Sequence, residues 1–392
     1  MTVMLTGIVT SAMTAHALGP QGRGELTAMM TLGLTVANFS NLGFPSSNTY
    51  FVAADKKLIT PIFFNSIFIS LVGSIVAILA AIIVLDSNDP FFLAKLIYLF
   101  FYSATTMIAS FTSNILVAIN RILSYNILDF TQNILVVLLY GICFLFKFPV
   151  IYFLLAGLMG TISGSLFGII AIKKELIVEA QFFNWPLFKN SFKYAIKVYI
   201  TTFIAFFIVR GNVFLLQKFA SMRDVGIFSI ALQLYEAIGI IPAAIGLLLF
   251  PKLIQSQKAE RWKNMNNVLK QVAILMTVIC IIAYLIIPFL VPYVFGRAFS
   301  ESVLIAQILL PGSFFLGIMG VVSQYLASMG YPRLQVIAWL VSFIIWSIVS
   351  LILVPKFGST GTAFVISTTN CISFIMLYSL SFKKMTNEGK YE

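Results

Sequence analysis

The feature that most restricts this chain is a succession of apolar runs long enough to cross a bilayer, joined by short polar turns. Pro61–Leu85 is one of them, 25 residues without a charged side chain. A hydrocarbon core about 30 Å thick takes roughly 20 residues at 1.5 Å rise each. No water is present at that depth to satisfy an exposed peptide group, so runs of this length are helices. The balance of residues agrees, at 60% hydrophobic and 10% charged with a mean hydropathy of +1.00. Soluble chains average about 25% charged. The net charge of +12 would suggest nucleic acid in a soluble protein. Here the basic residues fall mainly in short loops and mark topology, so nucleic acid is not an expected partner.

The runs predict an all-α polytopic membrane protein of twelve spans, in two six-helix lobes. Helix 1, about Thr2–Ala17, is short for a span and carries Thr2, Thr6, Thr10 and Thr14 on one face. Ala17–Glu25 reads as a tight turn. Helix 2, from Leu26, has Thr27, Thr31, Asn38 and Asn41 on its polar side, and Gly43-Phe-Pro-Ser-Ser47 should kink it before Ala54. Helices 3 to 6 are placed at Pro61–Leu85, Phe92–Ile119, Ser124–Phe146 and Val150–Ile172. Helix 5 carries Asp129, Gln132 and Asn133, and helix 6 has Gly157, Gly160, Gly164 and Gly168 on a face suited to close packing.

Lys173–Lys197 is the longest polar connection, and Asn184–Tyr194 within it reads as an interfacial amphipathic segment. The chain therefore divides into residues 1–172, a connection over 173–197, and residues 198–392. Helices 7 to 12 follow as Val198–Gln217, Val225–Phe250, Leu269–Val294, Ser302–Met329, Leu334–Val354 and Thr360–Phe382, with Gly239 and Pro242 expected to distort helix 8. The two halves share this layout and start from the same side, which implies a parallel repeat about the membrane normal. Assigned to loops, seventeen Lys and Arg lie on one side and seven on the other, with Arg210 left inside. The richer side should be cytoplasmic, and it carries both termini.

Arg210 in helix 7 and Glu236 in helix 8 are the least accidental residues of the chain. A full charge in a spanning helix costs roughly 3 kcal/mol on insertion scales and faces a bundle interior or a watered cavity. Arg210 lies eight residues before Lys218 and Glu236 eleven after Val225. Those offsets are about 12 and 17 Å from one membrane face, so an antiparallel hairpin can bring the two together. A structural ion pair and a charged lining for a solute path both remain open. Gln233 and Ser229 share the face of Glu236.

Cys143, Cys280 and Cys371 lie within apolar runs, and the single His16 cannot build a histidine metal centre, so neither a metal nor a cofactor is expected. Nor do paired carboxylates or a nucleophile–base pair stand out, which weighs against an enzyme.

Leu18-Gly-Pro-Gln-Gly-Arg-Gly-Glu25 after the first helix, Asn41-Leu-Gly-Phe44 in the second, and Val354-Pro-Lys-Phe-Gly-Ser-Thr-Gly-Thr-Ala363 between the last two resemble the polysaccharide-export and O-antigen flippases of the MOP exporter superfamily. The resemblance implies a bacterial inner-membrane transporter that turns over undecaprenyl-diphosphate-linked oligosaccharide by alternating access. It implies a central cavity lined by the first two helices of each lobe, with Arg23 at the first lobe's mouth and Arg210 within helix 7 as its cations; Gln233 and Asn38, on the polar faces of helices 8 and 2, are further candidate contacts. Glu236 and Asp129 are then the coupling or ion-pair carboxylates. The implied partners are the lipid-linked glycan, membrane lipid, a coupling proton or sodium ion, and a polysaccharide polymerase with its chain-length regulator. A drug extruder of the same superfamily is the alternative, followed by a membrane O-antigen polymerase or glycosyltransferase.

Overall fold

The computed structural model describes residues 2–85, 87–176, 183–329 and 332–388, and every regular element among them is helical. In order these are α1 (Thr2–Ser40), α2 (Phe44–Ala54), α3 (Ile59–Val84), α4 (Phe92–Ala118), α5 (Ile122–Leu145), α6 (Val150–Ile172), α7 (Trp185–Phe219), α8 (Met222–Gln255), α9 (Lys258–Val294), α10 (Glu301–Ser328) and α11 (Pro332–Glu388). Eight helices among the described residues are long and apolar enough to span a membrane, and the last of these runs covers 53 residues. Counting α7 and the two halves of α1 and of α11, the chain is a twelve-helix polytopic protein. It forms two units, Met1–Phe203 and Ile204–Glu392. The boundary falls inside α7.

Two expected loops are single-residue kinks. The Ala17–Glu25 turn narrows to Gly19, at φ 64° and ψ −176°, and Pro20 opens the next helical segment. Proline suits a helix start because its missing N–H would have no partner there, while glycine tolerates the positive φ that ends the preceding segment. Helices 11 and 12 join in the same manner across Gly358, at φ 52°, three residues after Pro355. α8, by contrast, is helical throughout, Gly239 and Pro242 included. In α9, Pro288 removes the N–H that would bond the Tyr284 carbonyl, and Gln307 Nε2 of α10 donates to that oxygen at 3.4 Å.

The kink expected near Gly43 is present. α1 stops at Ser40, Gly43 takes φ 77°, and Phe44-Pro45 restarts the helix as α2. Gly43 is also a close approach, since a Cβ there would lie 2.6 Å from the Ala195 carbonyl oxygen of α7. The glycine face of α6 packs as expected. A Cβ on Gly160 would meet Val136 of α5 at 2.2 Å, and one on Gly168 would meet Thr112 of α4 at 2.2 Å.

α7 begins thirteen residues before the predicted Val198, at Trp185. Asn184 caps it, accepting from the Leu187 N–H at 2.9 Å, with Pro186 in the first turn. Much of the expected polar connection is therefore helix. α9 likewise starts at Lys258, not Leu269. Its basic first turns are held by Trp262, packed on Tyr325 and Tyr378, and by Arg261, which donates to the carbonyls of Ile254 (3.1 Å), Ser256 (3.2 Å) and Ser328 (2.7 Å). Side-chain donors of this kind satisfy helix-end carbonyls that lack intrahelical partners.

Each unit gathers its basic helix ends together. In unit 1, Val52, Ile59, Ile115, Leu128, Ile172 and Leu187 share one cluster, which joins the ends of α2, α4 and α6 to the starts of α3, α5 and α7. Lys56, Lys57, Arg121, Lys173, Lys174, Lys189 and Lys193 surround that end. Arg121 ties it by donating to the Ala171 carbonyl at 3.0 Å and pairing with Glu175. In unit 2, Leu253, Met265, Leu326 and Ala338 join the ends of α8 and α10 to the starts of α9 and α11.

Candidate functional site

The Arg210–Glu236 site is built by a hairpin. α7 ends at Phe219, and Ser221 caps α8 through a reciprocal box in which its hydroxyl accepts from the Asp224 N–H while Asp224 accepts from the Ser221 N–H. This closes the turn tightly and sets the two helices antiparallel. Arg210 Nη2 then lies 2.7 Å from Glu236 Oε1. The side chains are 29% and 39% exposed, so the pair sits at the margin of the helix packing and not in its centre.

Residues beside the pair anchor it from behind. Asn212 is fully buried and accepts from Trp346 Nε1 of α11 at 3.2 Å. Tyr235 is buried too, and its hydroxyl accepts from Asn370 Nδ2 of α11 at 2.7 Å. Asn370 also donates to the Gly312 carbonyl of α10 at 3.1 Å. Successive helix positions point about 100° apart, so Tyr235 can lock the helix rotation while Glu236 faces Arg210. Sequence reasoning missed Asn212, Tyr235, Trp346 and Asn370. The available signal was an amide side chain in mid-span, two residues after Arg210 in one case and in the last apolar run in the other.

The remaining expected site residues divide between the units. Gln233 lies one turn before Glu236 and is half-buried. Ser229 is buried and donates to its own helix at the Gly226 carbonyl, 2.7 Å away. In unit 1, Asn38 donates to the Leu34 carbonyl of its own helix at 2.9 Å. Asp129 is half-buried in α5, with the Tyr125 side chain as its neighbour.

Arg23 is 7% exposed, folded back across the Gly19 kink onto the first half of α1. There it donates to the Ser11 carbonyl at 3.0 Å, the Ser11 hydroxyl at 2.9 Å, and the Thr14 hydroxyl. The kink reverses the chain, so residues nine and twelve positions earlier come within reach. Thr10 and Thr14 also donate back along their own helix, to the Thr6 carbonyl at 2.9 Å and the Thr10 carbonyl at 3.0 Å.

No curated protein matches the chain in sequence. Solved structures match it in fold. An inward-facing multidrug-resistance MATE family transporter of the MOP superfamily superposes with a TM-score of 0.78 at 14% identity, covering 99% of this chain and 96% of that one. The lipid II flippase MurJ, in an inward closed conformation, gives 0.75 at 13% identity, covering 98% and 88%. A MOP superfamily transporter from Pyrococcus furiosus, described as having a binding pocket of reversed polarity, gives 0.63 at 14% identity, covering 98% and 95%. At such identities these likenesses establish the fold, that of the MOP exporters. The sequence profile of the polysaccharide biosynthesis proteins matches residues 1–257, and the chain belongs to that family.

Proposed function

We propose that this protein moves an undecaprenyl-diphosphate-linked oligosaccharide, an O-antigen or other surface-polysaccharide repeat unit, from the inner to the outer leaflet of the bacterial cytoplasmic membrane by alternating access. Membership of the polysaccharide biosynthesis family and the MOP exporter fold support the class. The observation that carries the reading is the Arg210–Glu236 pair, a guanidinium held by one carboxylate on two adjacent spans. A planar guanidinium matches a phosphate as well as it matches a carboxylate, through paired N–H donors. In this reading the diphosphate displaces Glu236 from Arg210, and the released carboxylate takes up the coupling proton or sodium ion. The Asn212–Trp346 and Tyr235–Asn370 bonds keep both helices in register meanwhile. Both termini are cytoplasmic, and the flipped unit passes to a polysaccharide polymerase and its chain-length regulator.

The test is surface glycan display in a flippase-null strain, scored beside membrane abundance. Arg210→Lys should retain appreciable display, while Arg210→Ala should lose display well beyond any fall in its membrane abundance. Restored display in the double variant Arg210→Gln with Glu236→Gln would reject the phosphate contact. A second reading, a small-molecule extruder, is favoured by the MATE likeness at a TM-score of 0.78. It requires drug tolerance to fall in the null strain while glycan display stays normal.

A further inference from the structure

We infer that the first three turns of α7 form a docking surface for anionic phospholipid headgroups, in the leaflet that meets the basic end of unit 1. The inference is independent of what the protein transports. It starts from the Asn184 cap, which makes residues 185–196 helical. Leu187, Ser191 and Ala195, four residues apart, are buried at 8%, 2% and 0% exposure against unit 1. The other face presents Trp185, Lys189, Phe192 and Lys193, all exposed. The spacing of Trp185, Lys189 and Lys193 puts an aromatic ring and two ammonium groups in one row along the helix.

The aromatic groups around this row suit the boundary between acyl chains and headgroups. Trp185 stacks on Phe188 at 5.2 Å and 6°, and Tyr50 of α2 stacks on Tyr194 at 4.5 Å and 17°. Trp185 and Tyr50 remain more than half exposed, at 60% and 53%. Indole and phenol rings with an apolar body and a polar tip concentrate at that depth.

The charge at this end favours anions. Lys56, Lys57, Lys173 and Lys174 are exposed on the same rim as Lys189 and Lys193. None of the six takes part in an ion pair among the described residues. The described acids on this rim are engaged elsewhere, Asp55 in capping the Lys57 N–H at 2.9 Å and Glu175 with Arg121. Residues 183–203 contain no Asp or Glu. A row of lysines spread along a helix beside a lipid-facing aromatic band fits a layer of headgroups better than one enclosed anion. Each lysine near an anionic surface raises the local preference on the order of fivefold.

The test uses the full chain in phosphatidylcholine nanodiscs with graded amounts of brominated phosphatidylglycerol or brominated phosphatidylcholine. The Trp185 signal is the quenching of the wild type minus that of Trp185→Phe. Half-maximal quenching should come at roughly tenfold lower mole fraction for the glycerol lipid, from two lysines at about fivefold each less screening. Lys189→Gln with Lys193→Gln should bring the two lipids to near equality. Salt near 1 M, where the screening length is about 3 Å, should do the same to the wild type. If the double variant does not fold, Lys193→Gln and the salt series decide. Equal quenching by both lipids in the wild type, or a preference that survives these changes, would overturn the inference. So would loss of the glycerol-lipid signal on adding one equivalent of polyprenyl diphosphate, which would give the surface to the transported lipid.

Discussion

Neutralising one member of the Arg210–Glu236 pair should cost more stability than neutralising both. Two unit charges about 4 Å apart attract by roughly 4 kcal/mol at an effective dielectric of 20. The side chains are 29% and 39% exposed, so screening reduces the usable part. About 2 kcal/mol is the expected coupling, between the values typical of surface pairs and of fully buried ones. Arg210→Gln leaves Glu236 with an uncompensated charge on a spanning helix, and Glu236→Gln does the reverse to Arg210. Each should lower stability by about 2 kcal/mol, while the double variant, with two amides able to bond to each other, should lose less than about 1 kcal/mol. In thermal unfolding of the purified protein each single variant should melt several degrees lower, at roughly 2–4 °C per kcal/mol for a unit of this size. A double-variant loss equal to the sum of the singles would refute the coupling. This measurement needs no substrate, so it separates the structural share of the pair from any transport role.

The other predictions rest on separate features. Reporter fusions after Lys174 and after Lys390 should both report cytoplasm, and a periplasmic signal at either would reverse the assigned orientation. Gly160→Val should destabilise unit 1 by about 1–3 kcal/mol, because its Cβ would fall 2.2 Å from the Val136 side chain, and Val136→Ala should recover part of that loss in the double variant.

Much of the fold is legible in one dimension. α6 falls at Val150–Ile172 in both readings, because hydrocarbon thickness fixes the length of a span and the flanking turns bound it. The glycines of α6 were readable as a packing face because small residues spaced along a helix serve little else in lipid. The missed helix starts at Trp185 and Lys258 have a common cause. Both are amphipathic turns, the first held by the Asn184 cap and the second by Trp262 packing and the Arg261 hydrogen bonds, where hydropathy is low but helical bonding continues.

The candidate site divides in the same way. Arg210 and Glu236 were visible because a full charge in an apolar run is expensive wherever it points. Asn212 and Asn370 were not, since uncharged polar side chains are frequent in these spans and many bond only to their own helix. Ser70 and Ser74 do so, each donating to the carbonyl four residues back. An amide that bonds across helices, as Asn370 does to Tyr235, looks no different in sequence. Arg23 shows the limit most directly. Its charge and place after the Gly19-Pro20 break were readable, but its burial against Ser11 and Thr14 depends on the direction of that kink. The sequence by itself therefore determined the helices, their number and the charges they had to accommodate, because lipid imposes length and charge on each run separately. Only the tertiary structure decided which polar groups meet, because that follows from helix rotation and from contacts such as Asn212 with Trp346, 134 residues apart.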